Sequence, residues 1–159
     1  MSDNKGKLFA RLLDEVSNSL KAATSSESAL ESVVKILSSE VEYFTWTGFY
    51  LIDGDELHLG PYVGKPTPHT RIKVGQGICG SAAEKCETII VDDVDSDPRY
   101  LACSLETKSE IVVPLMDEDK CLGEIDIDSD SKTAFSEVDA EFLERVAALV
   151  TEKLKSLVR

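Results

Sequence analysis

Apolar side chains at Leu8, Phe9, Leu12, Leu13, Val16 and Leu20 recur every three or four residues, which predicts a helix over residues 7–21. A second stripe, Leu30, Val33, Val34, Ile36 and Leu37, follows Ser25 or Ser26 as N-cap. A third, from Val138 through Phe142, Val146, Leu149, Val150 and Leu154 to Leu157, starts behind Ser136 with Asp139 three positions on, a capping-box pattern. Between them the period shortens to two. Phe44 to Asp53 is β-branched and aromatic and reads as a strand, turning at Asp53-Gly54-Asp55 into Leu57-His58-Leu59. Gly60 to Pro68, with three prolines and two glycines, reads as a surface loop. Thr70 to Val74 and Thr88 to Val91 are short strands around a brief helix from Ile78 to Lys85, and Asp92 to Leu101 is irregular. Ser109 to Met116 and Lys120 to Asp128 pair around Asp117-Glu118-Asp119. The order predicts an α+β domain, a central antiparallel sheet with helices packed at one side. Residues 1–6 are expected to be a flexible lead and 7–159 one domain, without internal repeats.

Composition narrows the partners. At 159 residues and 42% hydrophobic content the chain can bury a real core, and its net charge of −13 repels phosphate backbones and anionic headgroups. Nucleic acid and membrane surfaces are therefore not expected partners. No apolar run approaches the roughly 20 residues that span a bilayer, and Met1 to Gly6 lacks the basic-then-apolar order of a secretory signal. A cytoplasmic location is expected, where the four cysteines are reactive or buried thiols rather than a disulfide framework.

Two of those thiols sit where chemistry is possible. Cys79 lies in Gly75-Gln76-Gly77-Ile78-Cys79-Gly80, a formal match to a dinucleotide fingerprint that lacks the crossover helix such a site needs. Two readings stay open: a thiolate favoured by a helix N-terminus beside glycines that admit a small ligand, or a small buried apolar residue. Cys103 lies in the polar loop Arg99 to Ser104, where no periodicity asks for burial, and is the better nucleophile candidate. Cys121 shares strand parity with Ile125 and Ile127 and is assigned to the core, and Cys86 to a helix-to-strand junction. The same parity sets Glu124, Asp126 and Asp128 on one face, either a solvated outer face or the floor of a pocket joined by Glu110. Clustered acids raise one another's pKa, so one can stay protonated and donate to an oxygen. Trp46 and Tyr50 are core residues or the aromatic walls of a methyl-sized pocket. His58 and His69 have no third ligand at metal spacing, are assigned to solvent, and point to no zinc.

These segments together resemble the GAF-domain free methionine-(R)-sulfoxide reductases. The resemblance runs from Trp46-Thr47-Gly48-Phe49-Tyr50-Leu51 through Leu59-Gly60-Pro61-Tyr62, Gly64-Lys65, the Gly75 to Ala82 turn and Ala102-Cys103. It ends in Ser109-Glu110-Ile111-Val112-Val113-Pro114-Leu115 and Gly123-Glu124-Ile125-Asp126-Ile127-Asp128-Ser129, its most specific part. It implies a GAF fold with about six antiparallel strands, homodimers paired through helices, and reduction of the free amino acid. It further implies Cys103 as sulfur nucleophile and Cys79 as a recycling cysteine. Glu110, Asp126 and Asp128 would hold the substrate's amino group and polarise its oxygen, and Trp46 would wall the methyl group, with Tyr50 beside it. No bound cofactor is implied; a thioredoxin or similar dithiol is the reductant.

The chain departs from the family in three places. His69 stands where the family usually has a further cysteine, Asp97-Pro98-Arg99-Tyr100-Leu101 replaces a loop with glycine and histidine, and Ser104 follows Cys103 where an aspartate is common. The mechanism expected from this sequence is attack of the Cys103 thiolate on the sulfoxide sulfur, with Glu110 or Asp128 protonating the oxygen, then a disulfide with Cys79 alone. The rival readings are a non-catalytic GAF module that binds a small ligand, and a peroxide-sensing Cys79–Cys103 switch.

Overall fold

The structure, a computed structural model, describes residues 2–101 and 106–158. Its elements are α1 (Ser2–Ala22), α2 (Ser26–Glu40), β1 (Trp46–Asp53), β2 (Glu56–Val63), β3 (Arg71–Lys73), α3 (Gly77–Lys85), β4 (Ile89–Val91), a 3-10 turn (Val94–Ser96), β5 (Ser109–Asp117), β6 (Lys120–Ser129) and α4 (Glu137–Leu157). The six strands form one antiparallel sheet in the order β3-β2-β1-β6-β5-β4.

Strand alternation divides the protein into two cores. Phe49, Ile111, Val113, Leu115, Ile125 and Ile127 point to one face, where α1, α2 and α4 cover them with their apolar stripes. Trp46, Tyr50 and Val112 point to the other, where α3 and the turn after β4 supply Cys79, Ala82 and Val94. The three long helices thus take one side of the sheet, and α3 lies opposite with the 3-10 turn after β4.

The caps explain where the helices begin. The Ser25 hydroxyl accepts from the Ser28 amide (3.1 Å), and Asp139 accepts from the Ser136 amide (2.9 Å). Asp139 is fully buried and also accepts from the Tyr43 hydroxyl and from Lys5 of α1, so one carboxylate ties the start of α4 to α1 and to the residues before β1. Burial, then that carboxylate, pushes the Tyr43 hydroxyl's pKa well up.

Two strands depart from the expected pattern, each through a bulge. Gly60 and Pro61 do not open a loop: β2 runs on to Val63, with Gly48 paired to Tyr62 but Tyr50 to Leu59, so β2 carries an extra residue where proline's missing N–H is tolerated. In β6, Leu115 pairs with Gly123 and Met116 with Cys121, leaving Leu122 extra. That insertion reverses the parity, so Leu122 packs with the helix-side core and Cys121 against the opposite one. Cys121 is half-buried, its thiol donates to the Gly123 carbonyl (3.2 Å), and burial raises its pKa to about 11.

Candidate active site

On the α3 side, register lines up the sequence-predicted acids and rings. Asp128 of β6 lies between Trp46 of β1 and Glu110 of β5, Asp126 between Gly48 and Val112, and Glu124 between Tyr50 and Pro114. Asp128 and Asp126 of the first two rows lie at the floor of a cleft of about 400 Å³, and Glu124 is buried beyond its lining. Trp46, Tyr50, Cys79, Glu110, Asp126 and Asp128 all line it. Of the two readings of the acidic face, the floor is the one found: Glu110, Glu124, Asp126 and Asp128 are all buried.

The aromatic wall depends on Gly48. The Trp46 indole folds over this glycine, where a Cβ would stand 2.5 Å from its Cη2 and 2.8 Å from Tyr62 Cβ. Trp46 stacks on Tyr62 at 5.3 Å between centroids and donates through Nε1 to the Lys65 carbonyl (3.0 Å). Tyr50 donates its hydroxyl to the His69 carbonyl (2.8 Å), which fixes the segment after Gly64 against the cleft. His69 itself lines the cleft rather than standing free in solvent.

The glycines of the Gly75 to Gly80 turn serve packing, not a ligand. A Cβ on Gly80 would lie 2.4 Å from the Lys73 carbonyl oxygen, and one on Gly77 2.7 Å from Leu101 Cδ1. This tight turn starts α3 against β3 and lowers Cys79, in the first turn of α3, onto the acids. Its Sγ lies 3.9 Å from Glu110 Oε2.

Of the two readings left open for Cys79, the structure gives the buried thiol rather than the helix-favoured thiolate. Burial, reinforced by Asp126, Glu124 and Glu110, pushes its pKa well up. The end of a nine-residue helix is a weak field beside desolvation and three carboxylates. Glu124 is likewise driven up by burial and then by Asp126, and Asp126 by burial. Apart from His69, no described residue lining the cleft is basic. Cys79, Glu124 and Asp126 are therefore all biased toward their protonated forms, for want of a compensating positive charge.

Cys103 lies outside the described residues. Up to Leu101 the preceding loop is ordered by Arg99, whose guanidinium donates to both Asp97 oxygens (3.0 and 2.7 Å), and it delivers Tyr100 and Leu101 to the cleft wall. A neighbouring cleft of about 470 Å³ shares Trp46, Thr67 and Asp128 with the first and is bordered by the ion pair of Lys65 and Glu106. Sequence reasoning passed over Thr67, Ile72, Ile78, Tyr100 and Leu101 as lining residues; they come from loops and short elements with no periodic signal. It placed Glu124 on the acidic face without assigning it a site role; the period of two was the signal available.

Comparison with known proteins matches residues 7–154 to the GAF domain family. The chain is 48% identical over 111 residues to the free methionine-R-sulfoxide reductase of Saccharomyces cerevisiae, covering 67% of this chain and 61% of that one. It is 32% identical to the Escherichia coli enzyme of the same name, over 95% of this chain and 91% of that one. It superimposes on the X-ray structure of the Neisseria meningitidis free methionine-R-sulfoxide reductase in complex with its substrate with a TM-score of 0.92 and 35% identity, covering 97% and 92% of the two chains. Among the described residues no helix is long and apolar enough to cross a membrane.

Proposed function

Since this chain belongs to the GAF-domain family of free methionine-R-sulfoxide reductases, we propose that it reduces free methionine-(R)-sulfoxide to methionine in the cleft above β6. The observation that carries this reading is the row of buried acids beside Trp46, with no lysine or arginine among the described lining residues. A zwitterionic amino acid brings the cation this floor lacks, its ammonium, and a methyl group that the indole can wall. Relatives named as reductases at 32–48% identity favour the enzyme over a non-catalytic binding module.

In the proposed cycle Asp126, with Asp128 and Glu110, receives the ammonium, and Trp46 and Tyr50 hold the methylsulfinyl end. The Cys103 thiolate attacks the sulfoxide sulfur while Glu110 or Asp128 donates a proton to the oxygen. Methionine leaves with its sulfur reduced by two electrons, and Cys103, oxidised by two, becomes a sulfenic acid. Cys79 condenses with it: the S–S bond forms as the Cys103 S–O bond breaks, and the Cys79 proton passes by way of a neighbouring carboxylate such as Glu110 to the leaving hydroxyl, which departs as water. A dithiol of the thioredoxin type reopens that disulfide by exchange. With His69 where a third thiol is usual, Cys79 resolves alone. A cytoplasmic homodimer paired through helices completes the proposal, and sedimentation at micromolar concentration checks the dimer.

The test is a steady-state assay with free methionine-(R)-sulfoxide and either dithiothreitol or thioredoxin. Wild type is expected to turn over with both, and Cys103→Ser to fall to the uncatalysed background. Full activity in Cys103→Ser overturns the assignment of the nucleophile.

A further inference from the structure

The cleft floor offers more than a seat for an ammonium group. Cys79 Sγ and one carboxylate oxygen each from Glu110 and Asp126 lie within 4.8 Å of one another, and all three residues are buried. They come from three elements, α3, β5 and β6, so no spacing in the sequence announces them. Asp126 Oδ1 is buried without a hydrogen-bond partner, and its residue lines the cleft. Glu124, fully buried beside them, interacts with both Cys79 and Asp126 and adds a further carboxyl at the same place.

We propose that these three side chains form an inhibitory zinc site, with the Cys79 thiolate, Glu110 and Asp126 as ligands and a fourth position facing the cleft. A tetrahedral zinc ion with Zn–S about 2.3 Å and Zn–O about 2.0–2.2 Å needs S···O separations of about 3.5 Å. The 3.9 Å between Cys79 Sγ and Glu110 Oε2 closes to that with a small side-chain shift. One thiolate among carboxylates selects zinc over magnesium or calcium, which take oxygen ligands alone. On binding, the Cys79 S–H bond breaks, an S–Zn bond forms and the proton goes to solvent, as does any proton on the two carboxyls; no oxidation state changes. The bound ion would cap the resolving thiol and fill the ammonium subsite, so it would compete with substrate. That consequence rests on the proposed function; the binding itself does not.

Protein reduced with a phosphine and then freed of it is titrated with Cd²⁺, read by the ultraviolet thiolate-to-cadmium charge-transfer band, and with Zn²⁺ by calorimetry. One ion per chain is expected. The cadmium band should vanish in Cys79→Ser and persist in Cys103→Ser and Cys121→Ser. Zinc affinity should fall at least tenfold in Asp126→Asn, and saturating free methionine should weaken it in wild type. Should Asp126→Asn lose its cooperative thermal transition, Glu110→Gln takes its place with the same expectation. The proposal is overturned by a wild type without the band, a band that survives in Cys79→Ser, or wild-type zinc affinity in the folded carboxylate variant. Zinc binding by a protein that reduces no sulfoxide supports this site while removing the proposed function, and turnover without zinc binding does the reverse.

Discussion

Glu124 carries the sharpest consequence of burial at the residue scale. Its pKa is raised by desolvation and by Asp126, so the folded protein holds a proton that the unfolded chain releases near the ordinary value of 4.5. A raised folded-state pKa contributes stability that is complete below that value and is lost as pH climbs toward the folded pKa. Glu124→Gln removes the titration. The variant should therefore gain on wild type by up to about 1.4 kcal/mol per pH unit above pH 4.5, read from urea midpoints across the acid-to-neutral range. Parallel pH profiles for the two proteins would show that Glu124 is not the buried acid described. Its position on the acidic face was legible from the period of two in β6. What the sequence could not say was whether that face met water, because the covering comes from α3 and the loop ending at Leu101, which are remote in the chain.

Between β1 and β6 the site is a matter of register. Trp46, Gly48 and Tyr50 were legible as one face of a strand, but their pairing with Asp128, Asp126 and Glu124 is non-local and no local signal encodes it. Gly48 is the hinge of this arrangement. Gly48→Ala sets a methyl group 2.5 Å from the Trp46 ring and should move the indole, raising KM for the sulfoxide well before it lowers kcat, with about 1–3 kcal/mol lost in stability. An unchanged KM would mean that the indole does not touch substrate. Bulges account for the two local misreadings. Pro61 reads as a strand breaker until an extra residue in β2 accommodates it, and Leu122 reverses the side on which Cys121 lies. The glycines of the Gly75 to Gly80 turn look like a ligand cradle in sequence, yet Lys73 and Leu101 occupy the space beside Gly80 and Gly77. The starts of α2 and α4 were legible, since Ser25 and Ser136 carry their capping partners three residues on, whereas α1 begins at Ser2 rather than at residue 7, in a stretch read as a flexible lead.

For the whole molecule the sheet separates a large helix-covered core from a smaller one shared with the cleft. The cleft side is bounded by β3 and β4, each three residues long and at a sheet edge, and by the nine-residue α3. Local stability should follow this division. In native-state hydrogen exchange, amides of β1, β5 and β6 are expected to exchange only with global unfolding, and those of α3 and β4 through smaller openings; equal protection throughout would contradict the division. Such openings would also let the buried Cys79 meet an external dithiol. The account as a whole stands on Cys103 and Cys79 acting as a pair on free methionine sulfoxide, and single turnover without reductant tests it most directly. Fully reduced protein mixed with excess (R)-sulfoxide should lose two thiols per chain and release one methionine. Peptide mass mapping should then find Cys79 joined to Cys103. Four thiols still titrating after the mixing, or a disulfide that excludes Cys79, would contradict it.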